Sequence, residues 1–245
     1  MSALPVAIGL SIVGSIGGLI LASTLLLFRD TVRVKLLPWL ISYAVGALLG
    51  VALLHLLPES LESLPAPAVF GTLLAGIILF FLLEKLVLWR HCHADQCELH
   101  KSAAALILIG DAFHNFVDGA VIAAATAVSV PLGVTTAVAV AAHEIPQEVG
   151  DFAILLGAGY SRRRALWLNI FSGVSAILGV LFAVLAFTLT PRFLPYFLPL
   201  AAASFLYVAM SDLIPSLHRG PFERNSVGQV LVVALGILTM LLGPG

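Results

Sequence analysis

Two short polar sequences interrupt long apolar stretches of this chain. The first, Asp111–Gly119, reads DAFHNFVDG, and the second, His143–Asp151, reads HEIPQEVGD. Ionisable side chains are costly to bury in a membrane, so they usually have a functional partner. Imidazole and carboxylate groups are ligands that first-row divalent metals accept. The two sequences together therefore predict a metal site.

The spacing within each polar sequence shows which side chains point the same way. Residues four apart share a helix face, so His114 pairs with Asp118 and His143 pairs with Gln147. Asn115 and Glu144 stand one position further along, where they could form a second, weaker site or hydrogen-bond the ligands. The predicted metal-binding set is His114, Asn115, Asp118, His143, Glu144 and Gln147.

The two polar sequences are also predicted to lie at the same depth. The turn between their helices, near Ser129–Pro131, is short, so the helices should be antiparallel neighbours. His114 comes about 14 residues before this turn and His143 about 12 after it. At about 1.5 Å per residue, both lie about 18–21 Å from the outer end, inside a hydrocarbon core of about 30 Å. Asp111, Glu148 and Asp151 extend the row of polar side chains along these two helices. We call this row the polar line, and it indicates a pathway.

The composition defines the class of protein. The chain is 60% hydrophobic and 10% charged, whereas a soluble domain carries roughly 25% charged residues. We therefore expect an all-α integral membrane protein in which residues 1–245 form one polytopic domain. A net charge of −1 without a basic face argues against nucleic acid. The first apolar run is expected to be a span and not a signal peptide, because it is long and no Lys or Arg precedes it.

Apolar runs of roughly 20 residues can cross a bilayer as helices. Eight such runs are predicted, at Leu4–Phe28, Leu36–Pro58, Pro67–Leu88, Ala103–Val128, Leu132–Gly157, Arg164–Leu189, Phe193–Ser216 and Ser226–Leu242.

The basic residues predict the orientation of these spans, because cytoplasmic loops are enriched in Lys and Arg. Eleven of the twelve fall in or beside alternate loops: Arg29, Arg33, Lys35, Lys85, Arg90, Lys101, Arg162, Arg163, Arg164, Arg219 and Arg224. The exception is Arg192. We therefore expect both termini on the extracytoplasmic side.

The segment 89–102 is predicted to be a cytoplasmic loop rich in His and Cys. It contains His91, Cys92, His93, Cys97 and His100. Such side chains can collect soft metal ions, although a polar loop can also contain them incidentally. In a reducing cytosol a structural disulfide between the two cysteines is not expected.

The sequences HNFVDG and HEIPQEVGDFAIL resemble motifs of the ZIP family of divalent metal transporters. The resemblance implies a homodimeric membrane transporter that moves zinc, or else iron, manganese or cadmium, into the cytoplasm. It also implies metal binding by His114, Asp118, His143 and the residue at 147, with Asn115 and Glu144 near a second site. The metal would be cargo and not a cofactor, and the membrane would be the cell membrane.

This chain departs from the family pattern at two places. Gln147 stands where the branch usually has His, and Val51 stands where the pattern usually has Asp. No carboxylate lies in the predicted sixth span. The amide oxygen of Gln147 is a weaker zinc ligand than imidazole, which favours harder ions.

Two other functions remain open at this level. HEIPQ resembles the HExxH motif of zinc hydrolases, but the second His is Gln147 and Pro146 interrupts the helix. We therefore expect no enzyme. A metal-gated channel or sensor would have the same sequence features as a carrier.

Overall fold

The structure is a computed structural model that describes residues 3–25, 30–89, 99–190, 192, 194–218 and 226–243. In these ranges the regular elements are helices and no strand occurs. The α-helices are α1 (Ala3–Ser11), α2 (Gly17–Leu25), α3 (Asp30–Val51), α4 (Leu57–Ser63), α5 (Ala66–Trp89), α6 (Leu99–Val128), α7 (Val130–Gly157), α8 (Arg162–Gly173), α9 (Ser175–Leu189), α10 (Leu194–Tyr207), α11 (Ile214–Leu217) and α12 (Ser226–Leu241).

Three π-helical turns join pairs of these helices into longer paths. They are Ile12–Ile16 between α1 and α2, Ala52–Leu56 between α3 and α4, and Val208–Leu213 between α10 and α11. Pro58 and Pro215 each follow two residues after such a turn. A proline clashes with the carbonyl four residues back, and a π-helical turn is one way for a helix to absorb a local disruption.

Five helical paths are long and apolar enough to cross a membrane: Leu4–Thr24, Lys35–Ser63, Ala66–Lys85, Arg162–Leu189 and Pro195–Leu217. Helices α6 and α7 are longer than most of these, at 30 and 28 residues, but contain the two polar sequences. Helix α12 is apolar and has 16 residues. The predicted all-α class is confirmed, and the eight spans with their orientation stay a prediction. The predicted loop falls mainly on residues 90–98, which lie outside the described ranges.

The helices pack as two groups. The first contains α1, α2, α6, α7, α8 and α9, and the second contains α3, α4, α5, α10, α11 and α12. The groups meet where α3 packs on α7 and α10 packs on α6. Leu48, Val51, Ile122, Val140 and Phe205 are buried in the apolar core that the groups share. Val51 therefore provides packing at the position where the family pattern usually has a carboxylate.

Glycine allows the closest helix contacts within each group. In the first group, a Cβ at Gly119 would overlap the carbonyl of Ala176, and a Cβ at Gly179 would overlap the carbonyl of Phe116. Small residues let helix backbones approach in this way in membranes. The resulting contact between α6 and α9 holds α6, which carries the first polar sequence, against its neighbour.

Candidate metal centre

The turn between α6 and α7 places the two polar sequences side by side. Ser129 adopts an extended conformation before α7, and its hydroxyl oxygen accepts a hydrogen bond from the Leu132 amide at 3.2 Å. Such a cap satisfies a free amide at a helix start. Helix α7 then continues through Pro146 as a single α-helix to Gly157, so the interruption predicted at Pro146 does not occur. The two helices pack along each other, as their short connection predicts.

Four potential ligand side chains converge between these helices. His114 and Asp118 come from α6, and His143 and Glu144 come from α7. One ligand atom from each lies within 4.8 Å of all the others. Asp118, His143 and Glu144 are fully buried, and the His114 side chain is 16% exposed.

The distances within this four-residue cluster centre on the two imidazoles. The Nε2 atoms of His114 and His143 lie 2.9 Å apart. Asp118 Oδ2 lies 3.0 Å from Nε2 of His143 and 3.6 Å from Nε2 of His114. Glu144 Oε1 lies 3.8 Å from both Nε2 atoms. All four groups therefore point to one small volume.

The ring of His143 is held in place from two sides. Its Nδ1 lies 3.1 Å from the carbonyl oxygen of Ala139, one turn earlier in α7. A hydrogen bond donated by Nδ1 leaves Nε2 as the free ligand atom, an arrangement common for metal-binding histidines. The ring of Phe205 on α10 stands against it at 6.0 Å and 60°.

The cluster places two buried carboxylates beside two imidazoles. Among the described residues, the carboxylates of Asp118 and Glu144 lie beside each other, and Asp118 Oδ2 is within hydrogen-bond distance of His143 Nε2. Among those residues their ion-pair partners are the two histidines. A buried charge needs a partner or a metal. Two imidazoles and two carboxylates suit a first-row divalent cation such as zinc.

The remaining two predicted ligands lie around Asp111 instead. Asn115 Nδ2 donates to Asp111 Oδ1 at 3.0 Å, and Gln147 Nε2 donates to the same oxygen at 3.4 Å. This differs from the predicted grouping, which placed Gln147 with the histidines and Glu144 with Asn115. The helical period gives the direction of each side chain, but Asp111 on the facing helix attracts the Gln147 amide. Glu144, with its flexible stem, reaches the imidazoles.

The structure adds one polar residue that the sequence pattern did not single out. Asn169 on α8 is fully buried and lies beside Glu148 of α7. The sequence analysis considered only carboxylates in the sixth span, so it did not identify the amide side chain of Asn169. The signal that could have identified it was an Asn in a largely apolar helix. Helix α8 thus contributes to the polar line that continues from Asp111 and Gln147.

These features define the class: an all-helical membrane protein with a buried cluster of side chains that could hold a metal ion. A profile of the family described as "ZIP Zinc transporter" matches residues 89–243. The chain belongs to the ZIP zinc transporter family, as its two polar motifs predicted. The expectation that it is not an enzyme is confirmed by this membership.

Individual relatives agree with the family assignment. Zinc transporter ZIP13 of Pongo abelii is 35% identical over 222 residues, which cover 83% of this chain and 65% of the relative. Zinc transporter ZIP13 of Mus musculus is 32% identical, with 83% and 68% covered. Zinc transporter foi of Drosophila melanogaster is 38% identical over 142 residues, which cover 58% of this chain and 20% of the relative. The chain spans about two thirds of the ZIP13 proteins and a fifth of foi.

Proposed function

We propose that this protein carries zinc across the cell membrane into the cytoplasm, with the ion bound between α6 and α7. The observation that carries the proposal is the convergence of His114, Asp118, His143 and Glu144 within 4.8 Å. Iron, manganese and cadmium are the other candidate cargoes. Zinc is the leading candidate, because the ZIP13 and foi relatives are named zinc transporters.

The mixed donor set suits transport better than permanent retention. Structural zinc sites are typically built from thiolates in a closed tetrahedral set. Imidazole and carboxylate ligands also accept other divalent ions. The cluster lies near the contact between the two helix groups, because Phe205 of α10 touches His143. Movement of one group against the other would expose the site alternately to each side, as alternating access requires.

The polar line beyond the cluster supports a release route. Asp111, Asn115 and Gln147 form one hydrogen-bonded group, and Glu148 lies beside Asn169 further along. We infer that the amide and carboxylate oxygens bind the ion more weakly than the imidazole-containing cluster. A weaker second position would let the ion leave toward the cytoplasm.

The remaining parts of the proposal concern the whole protein. We infer eight spans in one domain, residues 1–245, with both termini on the extracytoplasmic side. The basic residues of alternate loops support this orientation. The segment 89–102 would then be a cytoplasmic metal-collecting loop. The family resemblance supports a homodimer.

Metal uptake into proteoliposomes tests the proposed function. We expect purified protein to give saturable uptake of zinc, with iron(II), manganese and cadmium compared at equal concentration. Vesicles without protein provide the background. Tight zinc binding without uptake of any of the four metals would overturn the carrier and favour a sensor.

Replacing Gln147 by leucine tests the division between the cluster and the group around Asp111. We expect the zinc Kd to rise by less than the roughly 10-fold that a partner of a metal ligand typically contributes. The maximal uptake rate should fall, because Asp111 loses a hydrogen bond on the release route. Calorimetry and proteoliposome uptake measure the two effects, with His114→Ala as the comparison. A loss of affinity as large as that of His114→Ala would instead place Gln147 among the ligands.

A further inference from the structure

Helix α2 approaches the metal cluster at one glycine. A Cβ at Gly18 would lie 2.9 Å from Cβ of Glu144, and 3.9 Å from its Cγ. Nonbonded carbon atoms are most favourable about 3.5–4.0 Å apart. The Cβ of Glu144 is fixed to the backbone of a buried helix, so it cannot turn away as the end of a long side chain can.

The position of α2 itself is fixed by a second contact with α7. Gly14, in the π-helical turn Ile12–Ile16, faces the Ala137 carbonyl oxygen and Val140 Cγ1, and a Cβ there would lie 3.5 Å from each. Gly18 follows one turn later and faces Ala141 and Glu144. The first helical path is therefore seated against α7 over two successive turns and has little freedom to move back.

Glu144 is the member of the cluster whose placement depends most on this contact. It is fully buried, and Oε1 lies 3.8 Å from both imidazole Nε2 atoms. Its carboxylate also lies beside that of Asp118. The place of Glu144 in the cluster is therefore set both by these contacts of its carboxylate and by the packing around its Cβ and Cγ.

We propose that Gly18 is a positioning residue of the metal site, because its missing side chain lets α2 form the wall behind Glu144. The inference rests on the proposed function, since it assigns Glu144 to the site. It makes the first helical path a third contributor to the site, beside α6 and α7. Gly18 would act through the carboxylate of Glu144 and would not contact the ion.

This role has a consequence for metal selectivity. A side chain at position 18 would displace Glu144 and leave two imidazoles with the single carboxylate of Asp118. Manganese depends more on oxygen ligands than zinc does. Manganese binding should therefore weaken more than zinc binding, and the zinc preference should increase.

The test compares Gly18→Ala with Gly17→Ala in the full-length protein. A Cβ at Gly17 would meet nothing within 4 Å, so this neighbour is a matched control for adding one methyl group to the helix. We expect Gly18→Ala to raise the zinc Kd about 10-fold, the lower end of the effect of a supporting partner. The manganese Kd should rise further. Equal Kd values for the two variants would overturn the proposal.

A double-variant comparison separates positioning from a general effect on folding. The variant Glu144→Ala keeps the Cβ that Gly18→Ala would press on but has no carboxylate to displace. In that background we expect Gly18→Ala to change the zinc Kd less than about twofold. The same 10-fold loss in both backgrounds would show that Gly18 supports the fold and not Glu144.

Three further outcomes keep the inference testable and separate from the proposed function. If Gly18→Ala does not fold, Glu144→Gly added to it removes the Cβ contact and should restore a monodisperse protein; failure to do so would contradict the inferred contact. If His143→Ala leaves zinc uptake unchanged, the proposed function itself fails. If His143→Ala abolishes uptake while Gly18→Ala binds both metals normally, only the role of Gly18 fails.

Discussion

Replacing His143 with alanine is expected to reduce zinc uptake to the level of protein-free vesicles. His143 is fully buried, and its Nε2 lies 2.9 Å from Nε2 of His114 and 3.0 Å from Asp118 Oδ2. Residues that only support a metal ligand already contribute about 10–100-fold to metal affinity. Removing a ligand itself should cost at least the upper end of that range, so we expect the zinc Kd to rise at least about 100-fold.

The control for this prediction is His218→Ala. His218 is an exposed histidine at the end of α11, outside the cluster. The substitution removes an imidazole outside α6 and α7, so zinc uptake should stay at the wild-type level. Size-exclusion chromatography in detergent shows whether both variants remain folded. Normal uptake by a folded His143→Ala protein would exclude the cluster as the transport site.

Replacing Gly119 with valine is expected to prevent stable folding. A Cβ at this position would overlap the carbonyl group of Ala176, a backbone atom that a side-chain rotation cannot move. Helices α6 and α9 would have to separate, and the Gly179 contact with Phe116 would be lost with them. Overpacking a tight contact costs about 1–3 kcal/mol of folding free energy and occasionally more. For Gly119→Val we expect a cost at or above the upper end of this range.

Gly110→Val is the matched control within the same helix. A Cβ at Gly110 would meet nothing within 4 Å, so the substitution adds the same branched side chain to α6 without a steric conflict at its Cβ. Thermal unfolding monitored by fluorescence-detected size-exclusion chromatography should show a large loss for Gly119→Val and little change for Gly110→Val. Equal midpoints for the two variants would show that the contact between α6 and α9 is not tight.

The all-helical class and the approach of the two polar sequences to each other could be predicted from local sequence. Long apolar runs bury only as helices in a bilayer, because their backbone groups must pair within the segment. The predicted ends of the fourth and fifth spans agree with α6 and α7 at Val128 and Gly157. The short turn between them also placed His114 near His143, since both lie at a similar distance from it. These features depend on chain length and the helical period alone.

The grouping of the remaining polar residues needed the tertiary structure. Helical spacing paired His143 with Gln147, but the structure brings Glu144 to the imidazoles and Gln147 to Asp111. Which side chain reaches a cluster depends on the polar groups of the facing helix and on the length of the side chain. The spacing of residues along one helix contains neither of these two factors.

The contributions of α2 and α8 also depended on packing over long sequence distances. Gly18 is 126 positions from Glu144 in the chain, and Asn169 belongs to a helix that the sequence showed only as an apolar span. Composition and periodicity identified the two helices that carry the candidate ligand side chains. Only the packing of the helix groups determined that Gly18 lies behind Glu144 and Asn169 beside Glu148, because such contacts arise where separate helices meet.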